Sequence, residues 1–440
     1  MNKELEQKKI LPLLIKFSIP STIAVLINMI YNITDRYFIG QSIGKDGIGA
    51  LAIIFPVTII IGGIGMFFSI GGGSAAGIKL GKKDREGAEK VLGTTIFWII
   101  IVGILLGSLI LFTLTPLLKV LGASKNNIEY AYIYYFYLIP TLIFQFIFMS
   151  LNAFIRTEGN PMLSMRINIF GAFVNTLLDY ILIIKLGMGM KGAAIGTAIA
   201  GIIPAIIQIH HFINSDIIKL RLKNIRPNLE VMSNISKIGI GSFLNQLLNG
   251  VSVYIMNIKL NYYGGDLAIA AVGIVATCRN FINTSFIGFN QGRQPIISYN
   301  YGAKNYKRVK DTFILSTKIT FSVALLLTTL VLWNAESVVK FFVNDEKLIS
   351  FTAHAIRFNL ILMTSTALYL SGTNYFQSVG KGDKTTKLLT VRLGILTIPL
   401  LFILPIFLGL DGVWLAFPIS DTLAAILSIY FMKKEFKGFI

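Results

Sequence analysis

The chain has 440 residues, of which 54% are hydrophobic and only 14% charged, and its mean hydropathy is +0.70; this composition departs from that of soluble domains in the direction of membrane spans. The formal charge of +19 would suit nucleic acid only if the basic side chains shared one surface, and they sort instead by side of a membrane. One cysteine, Cys278, excludes an intrachain disulfide and a cysteine cluster for zinc or iron–sulfur, and reads as a small packing residue.

From the N-terminus, Lys3, Lys8, Lys9 and Lys16 lead directly into a long apolar run, so a retained N-terminus is expected rather than a cleaved signal peptide. Charge-free runs such as 47–78, 91–118, 130–155 and 238–258 each supply the roughly 20 residues that cross about 30 Å of hydrocarbon. Twelve spans are expected, near 10–39, 50–79, 90–115, 128–155, 161–186, 192–213, 235–262, 267–293, 307–333, 346–377, 384–408 and 412–434. Counting alternate loops from a cytoplasmic N-terminus puts 29 of the 40 Lys and Arg residues on the cytoplasmic side. Lys125 falls among the outer cations, while Arg36, Arg279 and Arg357 fall within spans. The positive-inside rule then places both termini in the cytoplasm of a multi-pass plasma (inner) membrane protein.

A shift of about 220 residues lays "GKKDREGAEKV" (81–91) on "GAKNYKRVKDT" (302–312), "FIRTEG" (154–159) on "YFQSVG" (375–380), and "KGAAIG" (191–196) on "DGVWLA" (411–416). One register through loops and spans implies two six-helix lobes in parallel, the arrangement that alternating access uses. The expected division is an N-lobe over 1–213, a cytoplasmic linker over 214–234 and a C-lobe over 235–440.

A carboxylate at mid-membrane costs roughly 2.5–3.5 kcal/mol on insertion scales, so such acids mark a function. Three lie clearly inside spans: Asp35, Asp179 and Asp421. Asp35, Asp179 and Thr197 have similar expected depth in one lobe. Asn28, Tyr31, Asn32 and Asp35 make one stripe on the first helix, and Asn168, Asn175 and Asp179 another on the fifth. Two carboxylates with the Asn175 amide carbonyl and the Thr197 hydroxyl would suit a hard cation, and a buried acid pair also suits proton uptake, so Na⁺ and H⁺ both remain open. In the second half Asp35 aligns with Met256 and Asp179 with Leu400, which confines the ion site to the N-lobe. Asp421, Arg279 and Arg357 are expected to form a polar pairing within the C-lobe. Pro20 removes a hydrogen bond from the first helix and permits a bend there.

These residues resemble those of the multidrug and toxic compound extrusion (MATE) family, its DinF-like branch in particular, over essentially the whole chain. The resemblance rests on Pro20, Tyr31 and Asp35 in the first helix, "NTLLD" (175–179) followed by Thr197, "RTEGNP" (156–161), and "QGRQPIISYNYGAK" (291–304). It implies an all-α integral membrane fold of twelve helices in two pseudo-symmetric lobes. It also implies export of organic cations or amphiphilic drugs, with antibiotic resistance as the phenotype, in exchange for Na⁺ or H⁺. By resemblance Asp35, Asn175, Asp179 and Thr197 are the cation site, Tyr31 and Asn152 contact drug, and Pro20 bends the first helix. Asn28 and Asn168, on the polar stripes, join the expected substrate-binding set. "SFLNQLLN" (242–249) has only amides where relatives outside the branch carry a carboxylate. No cofactor, nucleic acid or enzymatic activity is expected, and the expected partners are small-molecule substrates and membrane lipid around a monomer.

"GMGMKG" (187–192) follows no strand and reads as a turn, and "GGGSAAG" (71–77) lacks the ending of a phosphate loop and reads as close helix packing. Gly103/Gly107 and Gly192/Gly196 read as intramolecular contacts, and His210 and His211 as residues of the cytoplasmic interface. The rival readings are a lipid-linked oligosaccharide flippase, favoured by Arg279 and Arg357, and a passive channel or receptor.

Overall fold

In the computed structural model, residues 3–124 and 127–439 are described; Lys125 lies outside them. Among them nine helices are long and apolar enough to cross a membrane, and a pair bent by 41° supplies a tenth. Two of the nine are each two helices joined at a non-helical glycine, Gly265 (φ 59°) and Gly409 (φ 53°), which gives twelve spans. They are α1 Ile10–Ile43, α2 Lys45–Gly81, α3 Arg85–Val120, α4 Ile128–Thr157, α5 Pro161–Lys185 and α6 Gly189–Asn214. The second lobe contains α7 and α8 on either side of Gly265 within Leu229–Gly302, α9 Tyr306–Trp333, α10 Glu346–Ser378, and α11 and α12 on either side of Gly409 within Gly382–Lys437.

The repeat is visible in the backbone. Lys83 and Lys304 both adopt positive φ, 62° and 60°, and the following Asp84 and Asn305 cap α3 and α9 by accepting from Gly87 N and Arg308 N. Gly159 and Gly380 take φ of 97° and 79° at matching turns, where a left-handed residue favours glycine. α4 breaks at a 3₁₀ turn over Ile139–Thr141, and α10 breaks at the corresponding place between Leu360 and Met363. A π-helical turn follows Asp179 over Tyr180–Lys185, and a second one spans Val391–Thr397.

The first and last described residues of the chain and the inter-lobe connector share one end of the bundle, here the basal end. The lobes meet there backbone to backbone: a Cβ at Gly302 would collide with the Ile78 carbonyl, one at Gly81 with that of Tyr299, one at Gly292 with Ser18, and one at Gly71 with the Ile235 carbonyl. Gln294 donates to Ser74 Oγ at 2.6 Å, and Ser18 Oγ to the Phe289 carbonyl at 3.2 Å. A short helix, Lys3–Gln7, crosses to the second lobe, where Asn300 and Arg308 both donate to the Leu5 carbonyl at 3.0 Å. Towards the other end the inter-lobe approaches loosen to Gly250 with Ile59 and Thr284 with Met29.

The connector does not hang free. Glu158 accepts from Ile218 N at 2.9 Å and from Ser215 Oγ, and Glu89 accepts from Lys219 N at 3.3 Å and Arg221 Nε at 2.8 Å. Ile218 is wholly buried, and Asn224 packs on the bare backbone of Gly93. Residues 215–225 therefore belong mechanically to the first lobe.

Replacing Gly302 with Leu should force the basal closure apart. Over-packing of this kind costs about 1–3 kcal/mol. The expected readouts are a lower thermal midpoint in detergent and faster thiol labelling of Ser74→Cys in a Cys278→Ala background; a variant matching the parent in both would refute the tight-closure assignment.

Candidate functional site

α1 carries Asn28, Tyr31 and Asp35 on one face, as the i, i+3, i+4 geometry of a helix dictates. Asp35 is buried and Tyr31 half-buried, whereas Asn32 is exposed and turns its amide back onto the Asn28 carbonyl at 2.6 Å. Pro20 is buried inside α1. On α5, Ser164, Asn168, Asn175 and Asp179 form a second buried stripe. Asp179 is fully buried and packs on Gly196 of α6, where a Cβ would come within 2.6 Å of its Oδ1; the next residue, Thr197, is half-buried.

The structure brings these groups together. Asp35, Asp179 and Tyr31 lie close enough to interact electrostatically, and Tyr134 of α4 lies beside Thr197 in the same group. One carboxylate oxygen of Asp35, both of Asp179 and both amide atoms of Asn175 are buried without a hydrogen-bond partner. Buried polar atoms are rarely left in that state, since each unsatisfied group costs about 1–3 kcal/mol. An acid pair lined by amide and hydroxyl oxygens is a donor set for a hard monovalent cation or for protons. Tyr134 is the member that sequence reasoning missed; its position six residues past the start of α4 carries no distinguishing motif.

Below this pocket Asn28 donates to Asn168 Oδ1 at 3.3 Å, and Asn168 to Asn152 Oδ1 at 2.8 Å. Ser164 also donates to Asn152 Oδ1 at 2.9 Å, and Arg156 to Ser164 at 3.4 Å. Asn28, Asn152 and Asn168 thus form one amide chain across α1, α4 and α5, continuous with the acids through the stripes of α1 and α5.

The second lobe holds a different arrangement. Asp421 is fully buried and accepts from Arg279 Nη2 at 3.1 Å, from Arg392 Nε and from Thr366 Oγ1. Arg279 also reaches Asn359 at 3.4 Å and lies over the Phe417 ring. Arg357 is not part of this cluster; it is half-exposed and faces Glu336 at 3.7 Å. The expected Asp421–Arg279–Arg357 group is corrected to Asp421–Arg279–Arg392. Arg392 follows Lys384 and Lys387 in the sequence and resembles a loop cation there, but the π-turn of α11 carries it inside the lobe. Arg293 is likewise fully buried, on Ser316, the Ser371 carbonyl and Asn374. Arg279 and Arg357 therefore do not make a shared cationic pocket.

Other expected contacts are placed as follows. Gly103 meets Ile143, Gly107 meets Ile139, and Gly192 packs on the backbone of Leu182, all within the first lobe. Cys278 is buried in the core of the second lobe. His211 bonds to Glu158 at 2.8 Å beside the connector, and His210 is exposed near Asn214.

Comparison with known proteins gives a consistent picture. The MatE family model matches twice, over residues 20–181 and 242–403. The chain is 30% identical over 444 residues to the multidrug export protein MepA of Staphylococcus aureus (strain bovine RF122 / ET3-1), covering 97% of this chain and 95% of that one. It is 28% identical over 439 residues to MepA of Staphylococcus saprophyticus subsp. saprophyticus, with the same coverage. A crystal structure of MATE in complex with MaL6 superposes with a TM-score of 0.94 at 22% identity, over 99% of this chain and 98% of that one.

The Asp421 cluster and the Arg357–Glu336 pair differ in what their loss should cost. Asp421→Leu leaves two buried guanidinium groups without their carboxylate and should destabilise the protein by about 3–5 kcal/mol. Arg357→Ala removes only an exposed pair and should stay within about 0.5 kcal/mol of the parent. Thermal unfolding in detergent measures both, and equal shifts would contradict the assignment.

Proposed function

This chain belongs to the MatE family of multidrug efflux transporters, and from that premise we propose that it is a secondary antiporter. It exports amphiphilic or cationic small molecules in exchange for inward-moving Na⁺ or H⁺. The observation that carries the reading is the group of buried, partnerless oxygens on Asp35, Asp179 and Asn175 beside Thr197. A cation there would neutralise two acids that otherwise lie in a low-dielectric lobe without donors. The basal end is then cytoplasmic, in keeping with the distribution of Lys and Arg, and the tight basal closure corresponds to an outward-facing state of a protein in the plasma membrane.

Tyr31, Asn28, Asn152 and Asn168 contribute the polar groups of the first-lobe wall that meets substrate. Tyr31, Asn28 and Asn168 do so on the two helices that bear the acids, and Asn152 on α4 is bonded to Asn168, so cation and drug compete through a shared structure. Pro20 gives α1 a point at which to bend when the charge at Asp35 changes. Coupling requires only that the cation binds the two facing states with different affinity. No cofactor enters the cycle, and one chain contains both lobes, so a monomer suffices.

Asp35→Asn and Asp179→Asn should each lower ion-gradient-driven export of ethidium from proteoliposomes at least tenfold, with folded protein retained by size-exclusion chromatography. Applying Na⁺ and pH gradients separately identifies the ion. Parent-level export in both variants would remove the antiport reading.

A further inference from the structure

The first lobe carries a second feature, on the interface of α5 and α6. The α5 stripe is Ser164, Asn168, Gly171, Asn175 and Asp179; on α6, Gly196 meets Asp179, Ala200 and Pro204 meet Gly171, and Gln208 and His211 continue that run at four- and three-residue spacing. From Asp179 to Ser164 is fifteen residues, roughly 22 Å of helix and most of the hydrocarbon thickness. Gln208 is fully buried, yet neither its amide oxygen nor its nitrogen has a partner. At its cytoplasmic end this interface opens into a cavity of about 760 Å³ whose walls include Glu158, Leu163, Ile167, Ile207 and His211.

One place on the interface lacks polar side chains, the crossing of Gly171 with Pro204. A Cβ at Gly171 would lie 3.0 Å from Pro204 Cγ and 3.6 Å from the Ala200 carbonyl oxygen. Pro204 has no N–H to give to that carbonyl four residues earlier, so the Ala200 oxygen loses its intrahelical donor at this crossing. A dehydrated cation needs an oxygen at a constriction of this kind.

We propose that the coupling cation leaves the acid pocket through the interior of the first lobe, between α5 and α6, past the Gly171–Pro204 crossing and into the cavity at Glu158 and His211. The inference rests on the antiport reading and adds the route. Drug and cation then use different paths: the cleft between the lobes carries the drug, and the lobe interior carries the cation. Asn175 hands the cation to the Ala200 carbonyl, and Gln208 receives it on the cytoplasmic side. Arg156, buried against Ser164, places a positive charge on the wall near the exit. It opposes free cation entry, as an arginine does in a selective pore, and so limits leakage in the absence of exchange.

Ag⁺, a small monovalent cation that captures thiols, tests the route. In a Cys278→Ala background, inside-out vesicles bearing Asn175→Cys, Gln208→Cys or Ser74→Cys are treated with Ag⁺, and the remaining thiol is titrated with a maleimide. The route predicts that Asn175→Cys and Gln208→Cys react at least tenfold faster than Ser74→Cys, which lies in the closed inter-lobe contact. Adding Gly171→Ala should slow Asn175→Cys at least fivefold and leave Gln208→Cys unchanged. If Asn175→Cys is protected, or reacts only as fast as Ser74→Cys, the cation does not pass through the lobe and the proposal fails. An unaltered rate in the Gly171→Ala variant would also overturn it. Ethidium export that survives Asp35→Asn and Asp179→Asn would overturn the coupling role while the Ag⁺ pattern stood, so the two failures are distinct.

Discussion

Inside hydrocarbon no water is available to satisfy a polar group, so every carboxylate in the spans must find donors within the protein or remain costly. The molecule meets this constraint in two opposite ways. Asp421 is surrounded by Arg279, Arg392 and Thr366, and a carboxylate so supplied has no need of a mobile cation. Asp179 has no donor on either oxygen, and Asp35 has none on one of its two. The difference separates a fixed structural charge from a receptive one, although all three residues look alike as acids in apolar segments.

The contact between the lobes follows from the same solvent. Lipid tails are as apolar as leucine, so helices gain little from burying such side chains against each other, and close backbone packing must hold them. Gly71, Gly81, Gly292 and Gly302 allow that approach, with few hydrogen bonds across the seam besides Gln294 to Ser74 and Ser18 to Phe289. An interface of this kind is tight but separable. In the proposed cycle its packing would be surrendered as a unit on opening of the basal end, and the compensation would have to come from a ligand that prefers the open state.

Much of this was legible in the sequence because it depends on composition and period. Spans follow from charge-free runs, the two lobes from a repeat in one register, and the acid pocket from polar residues recurring at helical spacing around Asp35, Asn175 and Asp179. The matching positive φ at Lys83 and Lys304 shows why the loop repeat was detectable: the turn demands the same backbone in both halves. What could not be read were features set by tertiary context. Arg392 lies beside Lys384 and Lys387, and only the π-turn over Val391–Thr397 directs it inward. Residues 214–234 look like a solvated connector by composition, and nothing local reveals that Glu89 and Glu158 bind its first part to the lobe. Tyr134 is one tyrosine among several in "YAYIYYFY", and its meeting with Thr197 depends on how α4 and α6 pack.

The repeat duplicates the scaffold while assigning different mechanics to its halves. Each lobe has a π-turn, in α5 after Asp179 and in α11 around Arg392, at positions that the repeat does not superpose. In α5 the turn borders unsatisfied oxygens, so a change of charge there alters the packing of α1, α5 and α6. In α11 the turn presents a guanidinium to Asp421, where charge is already balanced and the helices are pinned. Under the proposed antiport, the second lobe is the stiffer reference body and the first lobe carries the response. Because Ser215 to Ile225 moves with the first lobe, the covalent hinge between the bodies is confined to the few residues from Arg226 to the cap of α7 at Asn228. That stretch contains Pro227, whose fixed φ narrows the swivel to its neighbours. A rocking motion between lobes is thus guided by the seam of α1, α2, α7 and α8 rather than by a loose tether.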